Sequence, residues 1–168
     1  MNALAHGAEA LYGPGAYPVA TLAAVRGIEL IAGGDRALGS LLCAYAVDSA
    51  GYALHHVLCQ TIVRVCATPH AETYAALLPH TMDAMVSRAP GEAAQLAAAV
   101  GAAVPTLAGR LDELCGGVRM TFAQPQIDEV VERALARPEL ADTPGPPVTA
   151  DDLRRLMQAA AADPVTSR

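Results

Sequence analysis

There is no lysine and no tryptophan in this chain, and only one phenylalanine. Its positive side-chain charge sits on 11 arginines, set against 17 acids, for a formal net charge of -6. The arginines are scattered, so no basic stripe is available to neutralise a run of phosphates. Nucleic acid is therefore not an expected partner. Aromatic residues make up 4 % of the chain although 53 % is hydrophobic. Such a core is made from Ala, Leu and Val, which suits closely packed helices better than sheets. The four cysteines (Cys43, Cys59, Cys66, Cys115) show no CxxC spacing. Most lie in apolar runs and are expected to be free, reduced and buried. No alternating strand pattern, internal repeat or glycine-rich phosphate loop is found. No basic stretch followed by an apolar one opens the chain, so a cytoplasmic location is the default expectation.

What is present reads as helix nearly throughout. At 168 residues the chain can bury one sizeable core. The expected fold is an all-α helical bundle, one domain over 1–162, with a frayed tail over 163–168. A first helix covers Met1 to Tyr12, with Asn2 as its cap, and Gly13-Pro14-Gly15 ends it. A second follows Pro18 and closes at Gly33-Gly34. Asp35 caps a third, which the pattern extends to about Cys66. Between Ala37 and Val47 that helix has no charge. A membrane span needs roughly 20 apolar residues. Here Asp48, His55, His56, Gln60 and Arg64 interrupt the run, so a central helix covered on all sides is expected instead. Further helices are expected over His70–Leu78, Thr81–Arg88, Glu92–Val100, Thr106–Cys115 and Ile127–Ala136. Arg119–Gln126 is expected as loop or turn and Pro138–Pro147 as a connector. Thr149 to Asp152 resembles a capping box that opens a last amphipathic helix.

The stretch Tyr52 to His80 holds four of the five histidines and two of the cysteines. His56 and Gln60 are four apart and share a helix face. His70 follows a break at Pro69, and His6 comes from a distant helix. Three imidazoles from three elements are a candidate divalent-metal site with an open position for substrate. On spacing alone the signal is weak, because a lone histidine on an apolar helix is usually a satisfied core residue. Asp48, seven residues before His55, falls on nearly the same face if one helix carries both. It is a candidate partner for a poised acid or base, or simply a surface charge paired with Arg64 or another arginine. Glu9 and Glu72 read as supporting or structural carboxylates. Tyr45, Tyr52 and Tyr74 are candidates for pocket lining, with core packing as the default.

Several motifs carry a family resemblance. They are Met1-Asn2-Ala3-Leu4-Ala5-His6 with Glu9-Ala10-Leu11-Tyr12, then Leu54-His55-His56 with Leu58-Cys59. Pro69-His70-Ala71-Glu72-Thr73, Leu78-Pro79-His80 and the closing Pro147-Val148-Thr149 follow. In this order they resemble the helical C-terminal half of the iron-containing alcohol dehydrogenase family, and most of all its maleylacetate reductase branch. The resemblance implies a metal ion (Fe or Zn) that polarises the substrate oxygen while a nicotinamide exchanges hydride with the carbon. It puts the three ligand histidines at His6, His56 and His70, and the carboxylate ligand at Asn2. Asparagine at that position is typical of the maleylacetate reductase branch, but a neutral amide is a poorer ligand for a hard cation. The resemblance also implies that in this branch the same histidines can take substrate carboxylates directly. A further family histidine, thought to relay protons, falls on Gln60, which hydrogen-bonds but transfers no proton near neutral pH. A glycine pair of the family falls on Val63-Arg64. The nucleotide-binding domain that precedes this half in the family has no counterpart in the sequence, so NAD(P) is expected only if a partner chain supplies it.

Three functions follow as expectations. The first is a repurposed small-molecule enzyme acting on a carbonyl or carboxylate substrate by non-redox chemistry: cyclisation, isomerisation, hydration or decarboxylation. Its catalytic candidates are His56, Gln60, His55 and Asp48, and its metal candidates His6, His56, His70 and Asn2. The second is one half of a split NAD(P)-dependent oxidoreductase. The third is a non-catalytic binding remnant. Self-association, or a partner subunit over the surface that faced the lost domain, is expected in each case.

Overall fold

Small residues let helices approach closely, and the first three helices show how. The computed structural model describes residues 2–161, with α1 over Asn2–Ala10, α2 over Pro18–Ala32 and α3 over Arg36–Ala50. Where α2 crosses α3, a Cβ on Gly27 would lie 2.6 Å from the Cys43 sulfur and 2.9 Å from the Gly39 carbonyl oxygen. A Cβ on Gly7 of α1 would meet the same sulfur at 2.6 Å. Three helices thus converge on one cysteine because two positions, Gly7 and Gly27, have no side chain. Asp35 caps α3 by accepting from the Leu38 amide at 3.3 Å.

The expected single helix from Asp35 to Cys66 is two helices. Gly51 takes a left-handed φ of 76° after α3, and α4 runs over Leu54–Cys66 at 100° to it. A glycine with no Cβ penalty makes that corner cheap. The expectation of a helix covered on all sides therefore applies to α4, most of which is buried, and not to α3. Leu38, Leu41 and Tyr45 of α3, with Val19 and Leu22 of α2, stand exposed. No single helix is long and apolar enough to cross a membrane; the bent α3–α4 pair passes on length and composition alone.

Helix α5 runs unbroken over His70–Arg88 with Pro79 inside it, where two shorter helices were expected. Burial of its apolar face outweighs the lost amide hydrogen bond. Then come α6 (Pro90–Ala99), a 3₁₀ turn over Val104–Thr106, α7 (Leu107–Cys115) and α8 (Gln124–Leu135). Helix α8 starts inside the stretch expected as loop, with Pro125 in its first turn, where a missing amide hydrogen matters little. The proline-rich connector holds a second 3₁₀ turn, Pro138–Asp142. Helix α9 (Ala150–Ala161) opens with the expected capping box: Thr149 Oγ1 accepts from the Asp152 amide at 3.2 Å and Asp152 Oδ2 accepts from the Thr149 amide at 2.9 Å. Buried side chains from α1 to α9 form one continuous cluster, and among the described residues there is no strand. The four cysteines are unpaired, with Cys43, Cys59 and Cys115 buried. The expected frayed tail lies outside the described residues.

Candidate active site

The site is assembled at the N-terminus of α4. Its N-cap is Ala53, which has no side-chain oxygen with which to cap the helix. The missing acceptor comes from α1. Glu9 is fully buried, and its Oε1 accepts from the amides of Ala53 (2.9 Å) and His55 (2.8 Å) and from the Tyr12 hydroxyl (3.2 Å). Its Oε2 accepts from the His56 amide at 3.1 Å and from His56 Nδ1. One carboxylate therefore satisfies the orphan donors of a helix start and sits at the positive end of its dipole. Burial alone would raise the Glu9 pKa, but the His56 hydrogen bond and the neighbouring charges hold it below its ordinary value. The loop Gly13-Pro14-Gly15 sets the register: the Gly15 amide donates to Ala50 O at 2.8 Å, and a Cβ on Gly13 would clash with that oxygen at 2.6 Å. The end of α1 is thus seated on the α3–α4 corner.

With Nδ1 hydrogen-bonded to the Glu9 carboxylate, Nε2 is the His56 ring nitrogen left for another group. That atom is buried and has no protein partner. Asn2 Oδ1 is in the same condition, and Asn2 shares a face of α1 with His6. The His6 ring stacks on His56 with centroids 5.1 Å apart, and Tyr52 lies against His56 at 5.4 Å. His70, exposed at the start of α5, stacks on Tyr74 at 4.2 Å, and Tyr74 meets His56 edge-on at 5.1 Å. The His6 pKa falls to about 4, first through burial and then through His56, so His6 is a neutral imidazole at pH 7.

His55 points elsewhere. Thr81 spends its hydroxyl proton on the Leu77 carbonyl (3.0 Å) and accepts from His55 Nδ1 at 2.9 Å. Burial pushes the His55 pKa to about 3. Asp48 is exposed on α3, beyond the 100° corner, with no ion pair among the described residues. The two do not share a helix face, so the expected Asp48–His55 pair does not exist. Tyr45 is exposed and bonds Tyr17 at 2.9 Å, which removes it from the pocket-lining candidates. Glu72 is exposed in the first turn of α5, Val63 is half-buried and Arg64 exposed.

Gln60 is one turn beyond His56 and is held by residues that no local pattern around it announces. Arg137, just past α8, donates from both terminal nitrogens to Gln60 Oε1 at 3.3 Å and from Nη2 to the Tyr52 hydroxyl at 3.3 Å. Glu139 takes the remaining side of the guanidinium, from Nε at 3.1 Å and Nη2 at 2.9 Å, and accepts from Tyr52 at 3.3 Å. The Arg137 hydrogen bond keeps the Glu139 pKa near 2. Arg137 immediately precedes the proline-rich connector and Glu139 lies within it; Arg137 is 77 residues from Gln60 in the chain. No local spacing could have revealed them.

The donor set bears on the metal that the resemblance implies. Among the described residues, no three His, Cys, Asp or Glu side chains are disposed to hold a metal ion. The one buried carboxylate beside the imidazoles, Glu9, has both oxygens committed to α4 and His56. His6, His56 and His70 lie near one another without the disposition of a ligand set, and Asn2 offers an amide oxygen in place of a carboxylate, so these residues do not fit a dication as placed. The expected metal set of His6, His56, His70 and Asn2 is brought into one neighbourhood but not into a coordination shell.

The family model "Fe-containing alcohol dehydrogenase family, C-terminal" matches residues 1–163, and the chain belongs to that family. The maleylacetate reductase of Rhizobium sp. (strain MTP-10005) is 34 % identical over 95 % of this chain and 50 % of that protein. That of Pseudomonas aeruginosa is 38 % identical over 49 % of this chain and 28 % of that protein. The crystal structure of maleylacetate reductase from Agrobacterium tumefaciens superposes with a TM-score of 0.78 at 30 % identity, over 95 % of this chain and 50 % of that one. The chain spans about half the length of these full-length relatives.

Proposed function

We propose that this domain binds a small oxo acid at His6, His56 and His70 and moves a proton on it, without a hydride step of its own. The observation that carries this reading is His56: Nδ1 is anchored on Glu9, and Nε2 is buried with no partner. A lone pair so placed takes a proton from a substrate carbon or hydroxyl, and Glu9 stabilises the imidazolium that forms. His6, a neutral imidazole, and Asn2 supply polar contacts for the substrate carbonyl or carboxylate. Isomerisation, cyclisation, hydration and decarboxylation are all within reach of such a set. The relatives named maleylacetate reductase point to an oxo acid as the substrate class.

The test is deuterium exchange into levulinate (4-oxopentanoate) in D₂O, followed by proton NMR. The wild type is expected to accelerate exchange next to the ketone and His56→Ala to abolish the acceleration. Exchange at the same rate in His56→Ala as in the wild type overturns the reading.

A second reading is favoured by the family itself: this chain supplies the substrate half of an NAD(P)-dependent oxidoreductase and another polypeptide segment supplies the nucleotide domain. Mixing the chain with the separately produced N-terminal half of the Rhizobium relative, NADH and maleylacetate is expected to restore NADH oxidation on this reading. Failure to form any complex with that half counts against it.

A further inference from the structure

A carboxamide is a donor at one end and an acceptor at the other, and which end faces a site decides what the site selects. The orientation of Gln60 is fixed by chemistry. Arginine has five N–H donors and no acceptor, so the two Arg137 nitrogens at 3.3 Å can be met only by Gln60 Oε1. Arg137 cannot turn away, because Glu139 grips its other edge with two bonds and Tyr52 accepts a further one. Nε2 of Gln60 is left on the opposite side, toward the Tyr74 hydroxyl. Burial pushes the pKa of that hydroxyl well above its ordinary range, and the hydrogen bond from Gln60 pulls the other way. Tyr74 packs on both His56 and His70. Gln60 is half-buried one turn from His56 and lies on the same face of α4.

We propose that Gln60, positioned by Arg137, presents its Nε2–H₂ group to the substrate oxygen and shifts the site's preference toward oxygens that accept hydrogen bonds without donating one. A ketone or carboxylate oxygen can turn both lone pairs to donors, whereas an alcohol oxygen accepts there too but carries an O–H for which Gln60 offers no acceptor. Arg137 is a positioning residue and Gln60 the specificity-determining one. This rests on the proposed oxo-acid site but is separable from it.

Gln60→Glu keeps size and keeps an acceptor for Arg137, yet presents a second acceptor to the substrate. The probes are levulinate and its alcohol, 4-hydroxypentanoate, which carry the same charge, so repulsion by a new carboxylate cancels in the ratio of their affinities. The ketone-to-alcohol preference, measured by NMR titration, is expected to fall on the order of tenfold in Gln60→Glu. Arg137→Met is expected to lower it severalfold, and to lower it no further when Gln60 is already Met. An unchanged ratio in Gln60→Glu overturns the proposal, as does an equal effect of Arg137→Met in both backgrounds. Nitrogen-15 relaxation of the Gln60 side-chain amide needs no ligand. Its order is expected to drop in Arg137→Met, and an amide that stays ordered overturns the positioning. Failure of the wild type to bind either probe overturns the oxo-acid site and the selectivity with it, and the amide measurement then judges the Arg137–Gln60 coupling alone.

Discussion

Glu9 shows how one residue can tie a helix start and a catalytic candidate together. Its carboxylate serves three backbone amides and the His56 ring. Glu9→Ala leaves those donors buried without a partner, and each costs roughly 1–3 kcal/mol. The variant is expected to lose at least about 3 kcal/mol in urea unfolding. Glu9→Gln, which keeps an acceptor oxygen, should lose less. A loss below about 1 kcal/mol in Glu9→Ala would show that the capping is not a stabilising contact. Asn2 carries a second prediction. Its Oδ1 is a buried oxygen without a partner on the face of α1 that carries His6, and what the set lacks is a free carboxylate. Asn2→Asp is expected to raise Zn(II) affinity at least about tenfold, read by calorimetry, because a carboxylate suits a dication better than an amide. Equal Zn(II) binding by both proteins would contradict the donor-set reasoning. In the sequence Asn2 was visible as a departure at a ligand position. Glu9 was legible only as a supporting or structural carboxylate, because three backbone amides and the His56 ring that it serves lie 44 or more residues away and only Tyr12 is near, three residues on.

Among the elements, α2 and α3 depend on missing side chains. Gly27→Ala would put a methyl group 2.6 Å from a sulfur and 3.0 Å from the backbone nitrogen of Cys43. Backbone cannot step aside, so overpacking of about 1–3 kcal/mol is expected, measured as a lower urea midpoint. Gly109, with open space around it, is the control, and Gly109→Ala should leave the midpoint unchanged or raise it. Helix types were legible from composition, and two of the caps, Asp35 and Thr149, were read correctly. The corner at Gly51 was not, because a single glycine inside an apolar run is compatible with a helix until the packing of both halves is known. That miss removed Asp48 from the site. The proline in α5 misled in the opposite direction: Pro79 ends a helix by local rule, but here the helix continues.

For the molecule as a whole, the buried imidazoles predict how stability responds to acid. His55 has its pKa lowered from 6.5 to about 3 and His6 from 6.5 to about 4. As pH falls below 6.5, the unfolded chain takes up these protons and the folded one does not, so stability falls with pH until the folded values are reached. Above 6.5 the contribution is constant. For His55, which is fully buried, the slope within the window approaches ~1.4 kcal/mol per pH unit; for half-buried His6 it is smaller. Below the ordinary carboxyl range, protonation of Glu9, whose folded pKa is depressed, removes a further contribution. Unfolding free energy is expected to be flat between pH 7 and 8 and to drop between 6.5 and 5. A flat profile down to pH 5 would mean that His55 is accessible to protons in the folded state. Replacing His55 by Gln should flatten that part of the curve.

The sequence by itself determined the all-α class, the family and the set of histidines, since helix formation and motif order are local properties written in consecutive residues. The tertiary structure decided which of those residues work together. It bent the chain at Gly51, gave α4 its cap from α1, and brought Arg137 from the turn after α8 to Gln60. Each of these is a contact between segments that only a packed core brings within hydrogen-bond distance, and a buried polar group takes whatever partner that packing delivers.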